Sequence, residues 1–414
     1  MRIGTVFSGI GAAEQALKRL SIPHEIVFAC DNGDVELNLL EKDDLAEYKR
    51  LVKLRSKKIL TDKKDVEKLN RLSKKELAIV ESIRQSIFSF DSREKKKAFV
   101  DELYRSRTRQ KNFVRKSYLA NYDLNPAHFH WDIRFLDGRD YRGQLDLLVG
   151  GSPCQSFSSV GAKCGLADTR GTLFYEFARI VLETQPRVFI YENVRGLLTH
   201  DNGNTWAVMR SVFENDLNYR IVEPQILNAS DYGIPQSRRR LFVVGIRNDI
   251  VCKDFAYPSV VDLKYTMQDF LENKCAEGCF LYDKKTGDLV VGKKKGMPNK
   301  KFTLTPAVQR YVLAGGTGTF KTSTQTDLPI ARTLMKMMTQ HHRAGVDNYI
   351  TVQKNPLVLR QLSDREALRL MGFPDDFKIT VSSMQMLRQA GNSIVVDVMM
   401  AILKQVIQTG ALET

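Results

Sequence analysis

No glycine stands between Gly33 and Gly138, and no proline between Pro23 and Pro126. A stretch without either residue has little to break a helix. Long apolar runs are also missing: none approaches the roughly 18–20 residues of a membrane span. Met1-Arg2-Ile3-Gly4-Thr5 enters a strand pattern at once, with no signal-peptide core. The six cysteines (Cys30, Cys154, Cys164, Cys252, Cys275, Cys279) lack the spacing of a disulfide framework, which fits a reducing cytoplasm. Cys275 and Cys279 are too few for a zinc site, so no metal is expected. With 43% hydrophobic and 27% charged residues the composition is that of a soluble globular protein. A chain of 414 residues can bury one large core and a second, smaller one.

Positive charge is abundant. The chain carries a net +15, and residues 41–120 alone hold 24 Lys or Arg against 13 Asp or Glu, an excess of eleven. Val66, Leu69, Leu72, Leu77, Val80, Ile83 and Ile87 recur there at helical steps. The spacing predicts two or three helices packed as a protruding hairpin inserted into the first unit. Its most basic segment contains Arg105, Arg107, Arg109, Lys111, Arg115 and Lys116. A solvated helical face explains a charge run equally well, but the concentration of the excess here points to a polyanion, with Arg105 and Arg109 on a DNA backbone.

The chemistry-bearing stretches lie on either side of this insertion. Ile3 to Phe7 is a short apolar run, followed by Ser8-Gly9-Ile10-Gly11-Ala12-Ala13-Glu14 and an amphipathic segment to Leu20. That reads as strand, glycine turn, helix. A second run, Glu25 to Cys30, ends in Asp31-Asn32, where an acid is placed to bind ribose hydroxyls. Glu14 occupies the third glycine of a dinucleotide fingerprint and would bring negative charge to a pyrophosphate. A nucleoside cofactor without phosphates, such as S-adenosylmethionine, fits better; an ordinary tight turn gives the same pattern.

Farther on, His130-Trp131-Asp132-Ile133 returns the chain to the core. Leu145 to Val149 then reads as a buried strand, emerging into Gly150-Gly151-Ser152-Pro153-Cys154-Gln155. This turn presents a thiol at a strand's carboxyl end, where open α/β sheets bind ligands. A lone cysteine is more often a buried structural residue. After a polar loop, Asp168 to Phe174 starts an amphipathic helix, and Arg187 to Tyr191 is a buried strand ending in Glu192-Asn193-Val194. Glu192 is thereby placed as a general acid on the rim that carries Cys154. Gln236-Ser237-Arg238-Arg239-Arg240 precedes another strand, Leu241 to Gly245. Arginines two apart on extended chain share a face. A surface ion pair and a solvated turn are the plain alternatives for these residues.

Taken in order, Phe7-x-Gly9-x-Gly11, Pro153-Cys154-Gln155, Glu192-Asn193-Val194, Gln236-x-Arg238-x-Arg240, Arg365-Glu366 with Gly372-Phe373-Pro374, and Gln389-x-Gly391-Asn392-Ser393 resemble the DNA cytosine C5-methyltransferase family. The likeness covers residues 1–35, 128–250 and 358–410. It implies an α/β fold: a Rossmann-like mixed sheet with flanking helices, plus a smaller target-recognition domain and the helical insertion. The implied division is a catalytic domain at 1–250 (with the insertion at 41–120), target recognition at 251–357, and a segment at 358–414 that completes the first domain. By the same resemblance Cys154 is the nucleophile, Glu192 acts at N3 of the base, and Arg238 and Arg240 stabilise O2. S-adenosyl-L-methionine is expected at Phe7, Gly9, Ile10, Gly11, Asp31, Asn32, Asp132, Ile133, Pro153, Leu173, Asn392, Ser393 and Ile394. Ala12 for the usual glycine and Ile394 for the commoner valine are mild departures. The larger departure is the length of the 41–120 insertion.

In 251–357 the motif pattern stops. Glycine-rich Gly315-Gly316-Thr317-Gly318, with Lys321, and Ala331-Arg332-Thr333-Leu334 suggest DNA contacts at Gly316, Thr317, Lys321 and Thr333, joined by Gln155, Ser158 and Gln236 from the catalytic stretches. The loop from Gln155 to Gly165 reads as one that closes over a flipped base. Asn392 to Ile407 reads as a helix packing beside the first strand. The expected partner is double-stranded DNA, bound by a monomer and shared with an unattached restriction endonuclease cutting the same sequence, in a bacterial, nucleoid-associated setting. Two other readings stay open: a transfer-RNA methyltransferase on this scaffold, and a catalytically silent DNA-binding protein. No Asp/Asn-Pro-Pro-Tyr/Phe segment supports an exocyclic-amine methyltransferase.

Overall fold

The computed structural model describes residues 1–56, 59–153, 173–317, 320–338 and 342–413. Five strands run parallel at the centre: β1 (Arg2–Val6), β2 (Glu25–Cys30), β3 (Phe129–His130), β4 (Leu147–Gly150) and β5 (Val188–Val194). Their spatial order is β3-β2-β1-β4-β5. β2, β4 and the first half of β5 read as near-continuous apolar runs because both sheet faces are covered. Beyond β5 come β6 (Tyr219–Ile221), β7 (Gln225–Asn228), the short β8 (Gln236–Ser237) and β9 (Arg239–Arg247). β9 runs antiparallel to β5, and β6 and β7 pair with its other edge. The chain winds outward from β1 in one direction and from β4 in the other. The gap between their carboxyl ends is therefore the switch point at which such sheets bind ligands.

One face of the sheet is covered by α1 (Ala12–Arg19) and residues from the end of the chain, with Ala16, Leu17, Ile402 and Leu403 in a single buried cluster. The other face packs Phe174, Phe177 and Val181 against Phe189 and Tyr191.

The insertion folds as α2 (Lys42–Ser56), α3 (Lys63–Phe88), α4 (Arg93–Arg107) and α5 (Phe113–Asn121). Asp62, Ser92 and Asn112 cap α3, α4 and α5 by accepting main-chain N–H groups. The expected protruding hairpin is not what forms. Val80 and Ile87 of α3 and Val100 and Tyr104 of α4 bury against Val35, Leu37 and Phe135, so the pair lies down on the body. α5 packs Tyr118 against Ala29 and Phe129 at the sheet edge. A free hairpin would have left this apolar stripe in water at about 25 cal/mol per Å².

Further along lie α6 (Leu173–Thr184), α7 (Asn204–Ser211) and α8 (Pro306–Leu313), and the chain returns through α9 (Asp364–Arg369), α10 (Ser383–Asn392) and α11 (Val396–Gln408). The helix expected over 392–407 forms as α11 but starts only at Val396, because Ser393–Val395 separate it from α10. Carbonyls of Gly391 and Ser393 turn away to accept from Arg238, so they cannot continue a helical ladder. Ser383–Gln408 contains a window that passes for a membrane span by length and hydropathy, though polar residues interrupt it. That window is 61% buried among other elements, as a core helix is.

Candidate active site

Three turns meet at the switch point. The first follows β1. Phe7, Gly9 and Gly11 all have positive φ, at 53°, 54° and 79°. Glycine is required at position 11, where an added Cβ would lie 2.2 Å from the Tyr122 ring. The Tyr122 hydroxyl donates to the carbonyls of Ile10 and Gly11 at 3.0 and 2.7 Å, fixing the loop from outside. At Gly9 a built Cβ meets nothing within 4 Å, so the loop presents open space there. Asp31, at the end of β2, accepts from the amides of Gly9 (2.9 Å) and Gly33 (2.7 Å). Burial raises its pKa, against the pull of those two amides. Glu14 does not bring charge to this loop. It is 1% exposed and accepts from Thr5 Oγ1 and the Tyr118 hydroxyl at 2.8 and 2.6 Å. Burial pushes its pKa up, so the sequence argument that Glu14 repels a pyrophosphate does not hold.

The second turn follows β3. Asp132 caps it and is buried between Arg134 and the Tyr104 hydroxyl, which donates at 2.8 Å. Despite its burial, the Arg134 guanidinium holds its pKa below the ordinary aspartate value. Asn32, Asp132 and Leu173 share a cavity of about 950 Å³ with residues of α2 and α3. Ile10 and Ile133 are core side chains, 0% and 3% exposed, so only their main chain can face a ligand. Asn392 is exposed, Ile394 half-buried and Ser393 buried at the α10–α11 break. A cradle open at Gly9, a carboxylate at the tip of β2 and this cavity suit a nucleoside carrying ribose hydroxyls.

The third turn, after β4, carries the reactive stretch. Gly151 is required because a Cβ there would lie 2.5 Å from the Glu192 carbonyl and 3.0 Å from its carboxylate. Asn193 donates to the Ser152 carbonyl at 2.9 Å and to the Tyr191 hydroxyl at 3.0 Å, and that hydroxyl sits 2.6 Å from Ser152 Oγ. The turn is thus pinned to the end of β5 up to Pro153, which is exposed. Cys154, Gln155 and Ser158 lie outside the described residues.

Glu192 faces Arg240 at 3.1 Å, and both are partly open. Burial raises the Glu192 pKa, with Arg240 and then Arg238 pulling it down. Arg238 differs from its neighbour two positions on. It is 3% exposed, and its terminal N–H groups donate to the carbonyls of Leu334 (2.8 Å), Gly391 (3.1 Å) and Ser393 (2.7 Å). Burial and Arg240 push its pKa down to about 9, so it stays charged at neutral pH. Only Arg240 of the two faces Glu192 with its guanidinium, because the strand is interrupted between β8 and β9.

The sequence places Gln236 at the DNA, but it is fully buried, donating to the Leu370 carbonyl at 2.7 Å and accepting from the Leu334 amide at 3.0 Å. Thr333 donates to the Ser237 carbonyl. Gly316 and Thr317 form a two-residue strand against Phe320 and Lys321. Arg105 and Arg109 are exposed, and Arg105 pairs with Glu102. Sequence reasoning missed Tyr104, Tyr118 and Tyr122 as supports of the turns after β1 and β3. The i,i+4 spacing of Tyr118 and Tyr122 puts them on one helix face and was the available signal.

A family model described as C-5 cytosine-specific DNA methylase matches residues 105–408. The Type II methyltransferase M.SsoII of Shigella sonnei is 35% identical over 306 residues, covering 72% of each chain. The Type II methyltransferase M.HhaI of Haemophilus parahaemolyticus is 36% identical over 262 residues, covering 61% of this chain and 73% of its own. Among solved structures, the Dnmt2 methyltransferase of S. pombe aligns over 98% of both chains with a TM-score of 0.59 at 16% identity, a likeness of fold.

Proposed function

Because the chain belongs to the C-5 cytosine-specific DNA methylase family, whose members take their methyl group from S-adenosyl-L-methionine, we propose that it methylates C5 of a cytosine flipped out of a specific duplex sequence, through a covalent bond between Cys154 and C6. The observation that carries this reading is the Glu192–Arg240 pair at 3.1 Å, packed on Gly151, three residues before Cys154.

Cytosine C5 is a poor nucleophile until something adds at C6. The Cys154 thiolate forms a bond to C6 while Glu192, its pKa raised by burial, gives or shares a proton at N3. The ring electron pair moves to C5, which takes the methyl group. When bound, S-adenosyl-L-methionine supplies that methyl as an electrophile on a sulfonium. A base then removes the C5 proton, and the C6–sulfur bond breaks to release Cys154. Arg240 holds the ring O2 side and keeps Glu192 oriented. Arg238 is a positioning residue here, since its donors hold Leu334, Gly391 and Ser393 around the site. For the cofactor, Asp31 takes the ribose hydroxyls, Asn32, Asp132 and the main chain of Ile133 the adenine side, Pro153 and Leu173 the methionine side, and Asn392 to Ile394 the amino-acid end.

The division into 1–250, 251–357 and 358–414 belongs to the same reading, with Gly316, Thr317, Lys321, Thr333, Arg105 and Arg109 toward the duplex. So does a role in protecting host DNA, in the bacterial cytoplasm, from an endonuclease that cuts the same sequence. Methylating a complex DNA and sequencing it with a 5-methylcytosine-sensitive readout tests the proposal. A single methylated motif is expected; methyl transfer to transfer RNA alone would overturn it.

A further inference from the structure

Helices α3 and α4 each send one buried polar side chain into the turn after β3. Tyr104 of α4 is 1% exposed; it donates to Asp132 Oδ2 at 2.8 Å and stacks on Trp131 with ring centroids 4.6 Å apart. Arg84 of α3 is 6% exposed and donates from Nε to the Arg134 carbonyl at 2.8 Å. Arg84 also pairs with Glu176 of α6, which pairs in turn with Arg179. Arg179 closes the circuit by donating to the carbonyls of Leu136 (2.9 Å) and Ile133 (2.6 Å). Both ends of the 132–136 turn are thus tied, directly or through α6, to the insertion. Arg84 also lines the cavity of about 950 Å³, which α2 and α3 of the insertion wall together with Asn32, Asp132 and Leu173.

A merely DNA-binding arm has no need of buried polar contacts of this kind, because burying an arginine and a tyrosine hydroxyl is favourable only when each finds partners. We propose that the insertion forms the outer wall of the cofactor's adenine side, with Tyr104 and Arg84 as positioning residues that act through Asp132 and the 132–136 turn. This rests on the reading of the rim as the S-adenosyl-L-methionine site. Without the Tyr104 hydroxyl, Asp132 is held from one side only and the turn loses its fixed place.

The test is calorimetric binding of S-adenosylhomocysteine to the full chain without DNA, for the wild type, Tyr104→Phe, Arg84→Lys and Asp31→Ala. Tyr104→Phe keeps the ring on Trp131, and its Kd is expected to rise about tenfold, or about 1.4 kcal/mol, with melting temperature and duplex affinity retained. Arg84→Lys moves the same way and carries the test if Tyr104→Phe does not fold. Unchanged affinity in both variants, beside a loss in Asp31→Ala, overturns the wall and leaves the rim reading standing. No loss in Asp31→Ala either overturns the rim reading, and the wall with it. A parallel fall in melting temperature and duplex affinity marks a merely structural contact and also overturns the proposal.

Discussion

Glu192 Oε1 and Arg240 Nε lie 3.1 Å apart, carried by antiparallel neighbours β5 and β9. The pairing register sets Val194 opposite Arg240 and Glu192 opposite Phe242, so the two side chains meet diagonally across one face. Burial raises the pKa of the Glu192 carboxyl and the facing Arg240 guanidinium lowers it, so this pair governs how readily the group gives up a proton. Glu192→Gln keeps the shape and loses the proton. It is expected to lower kcat by about 10²–10⁴-fold with duplex and cofactor affinity within a few-fold, read from single-turnover methylation. Arg240→Ala removes the guanidinium that lowers the Glu192 pKa more than Arg238 does, so the alkaline limb of the pH–rate profile should move to higher pH.

Arg238 and Arg240 should separate by stability. Removing Arg238 leaves three buried carbonyls without their charged donor, so Arg238→Ala is expected to cost about 3 kcal/mol or more in denaturant unfolding. The cost for Arg240→Ala should be under about 1 kcal/mol, with a much larger loss of turnover. Equal stability losses would contradict the division of roles.

Glu14 gives a pH-dependent signature. Its folded pKa is raised by burial above the ordinary 4.5. The stability gained by keeping it protonated is therefore present in full below pH 4.5 and is lost as pH rises through the folded value. Glu14→Gln cannot ionise, and its Oε1 can still accept from Thr5 and Tyr118. Relative to wild type the variant should gain stability as pH rises, by about 1.4 kcal/mol for every tenfold by which burial weakens the acid, measured by urea unfolding at pH 4 and pH 8.

The basic end of the insertion bears on DNA. Arg105, Arg107, Arg109, Lys111 and Lys116 are exposed, unlike Lys96, whose charge is taken by Asp137 and Asp140. Neutralising these five should reduce the slope of log K against log salt by about 0.9 for each DNA phosphate that they neutralise in the wild type. An unchanged slope would remove this segment from the DNA footprint.

The sheet and its strand-end turns were legible because each short apolar run ends in a residue type with one dominant use there: glycine after β1, an acid after β2, Gly-Gly after β4. The insertion's helices were equally visible, from their spacing and from the absence of Gly and Pro. Their packing was not. Val80 and Ile87 read the same whether the stripe faces a partner helix or Phe135 of the body. Polar side chains were the other source of error. Gln236, Arg238 and Glu14 carry groups that chemistry uses, and nothing in their spacing reveals that main-chain groups or buried hydroxyls from distant segments already occupy them. The break between α10 and α11 has the same origin, since it follows from two carbonyls committed to an arginine more than 150 positions earlier.

The covalent step is the centre of the account. Fluorine at C5 of the target cytosine leaves no proton for the base to remove, so a methylated adduct cannot break its C6–sulfur bond. Incubation of the enzyme and S-adenosyl-L-methionine with a duplex bearing 5-fluorocytosine at the methylated position is predicted to give a denaturant-stable protein–DNA band for the wild type and none for Cys154→Ala. An adduct that persists in Cys154→Ala would contradict the account.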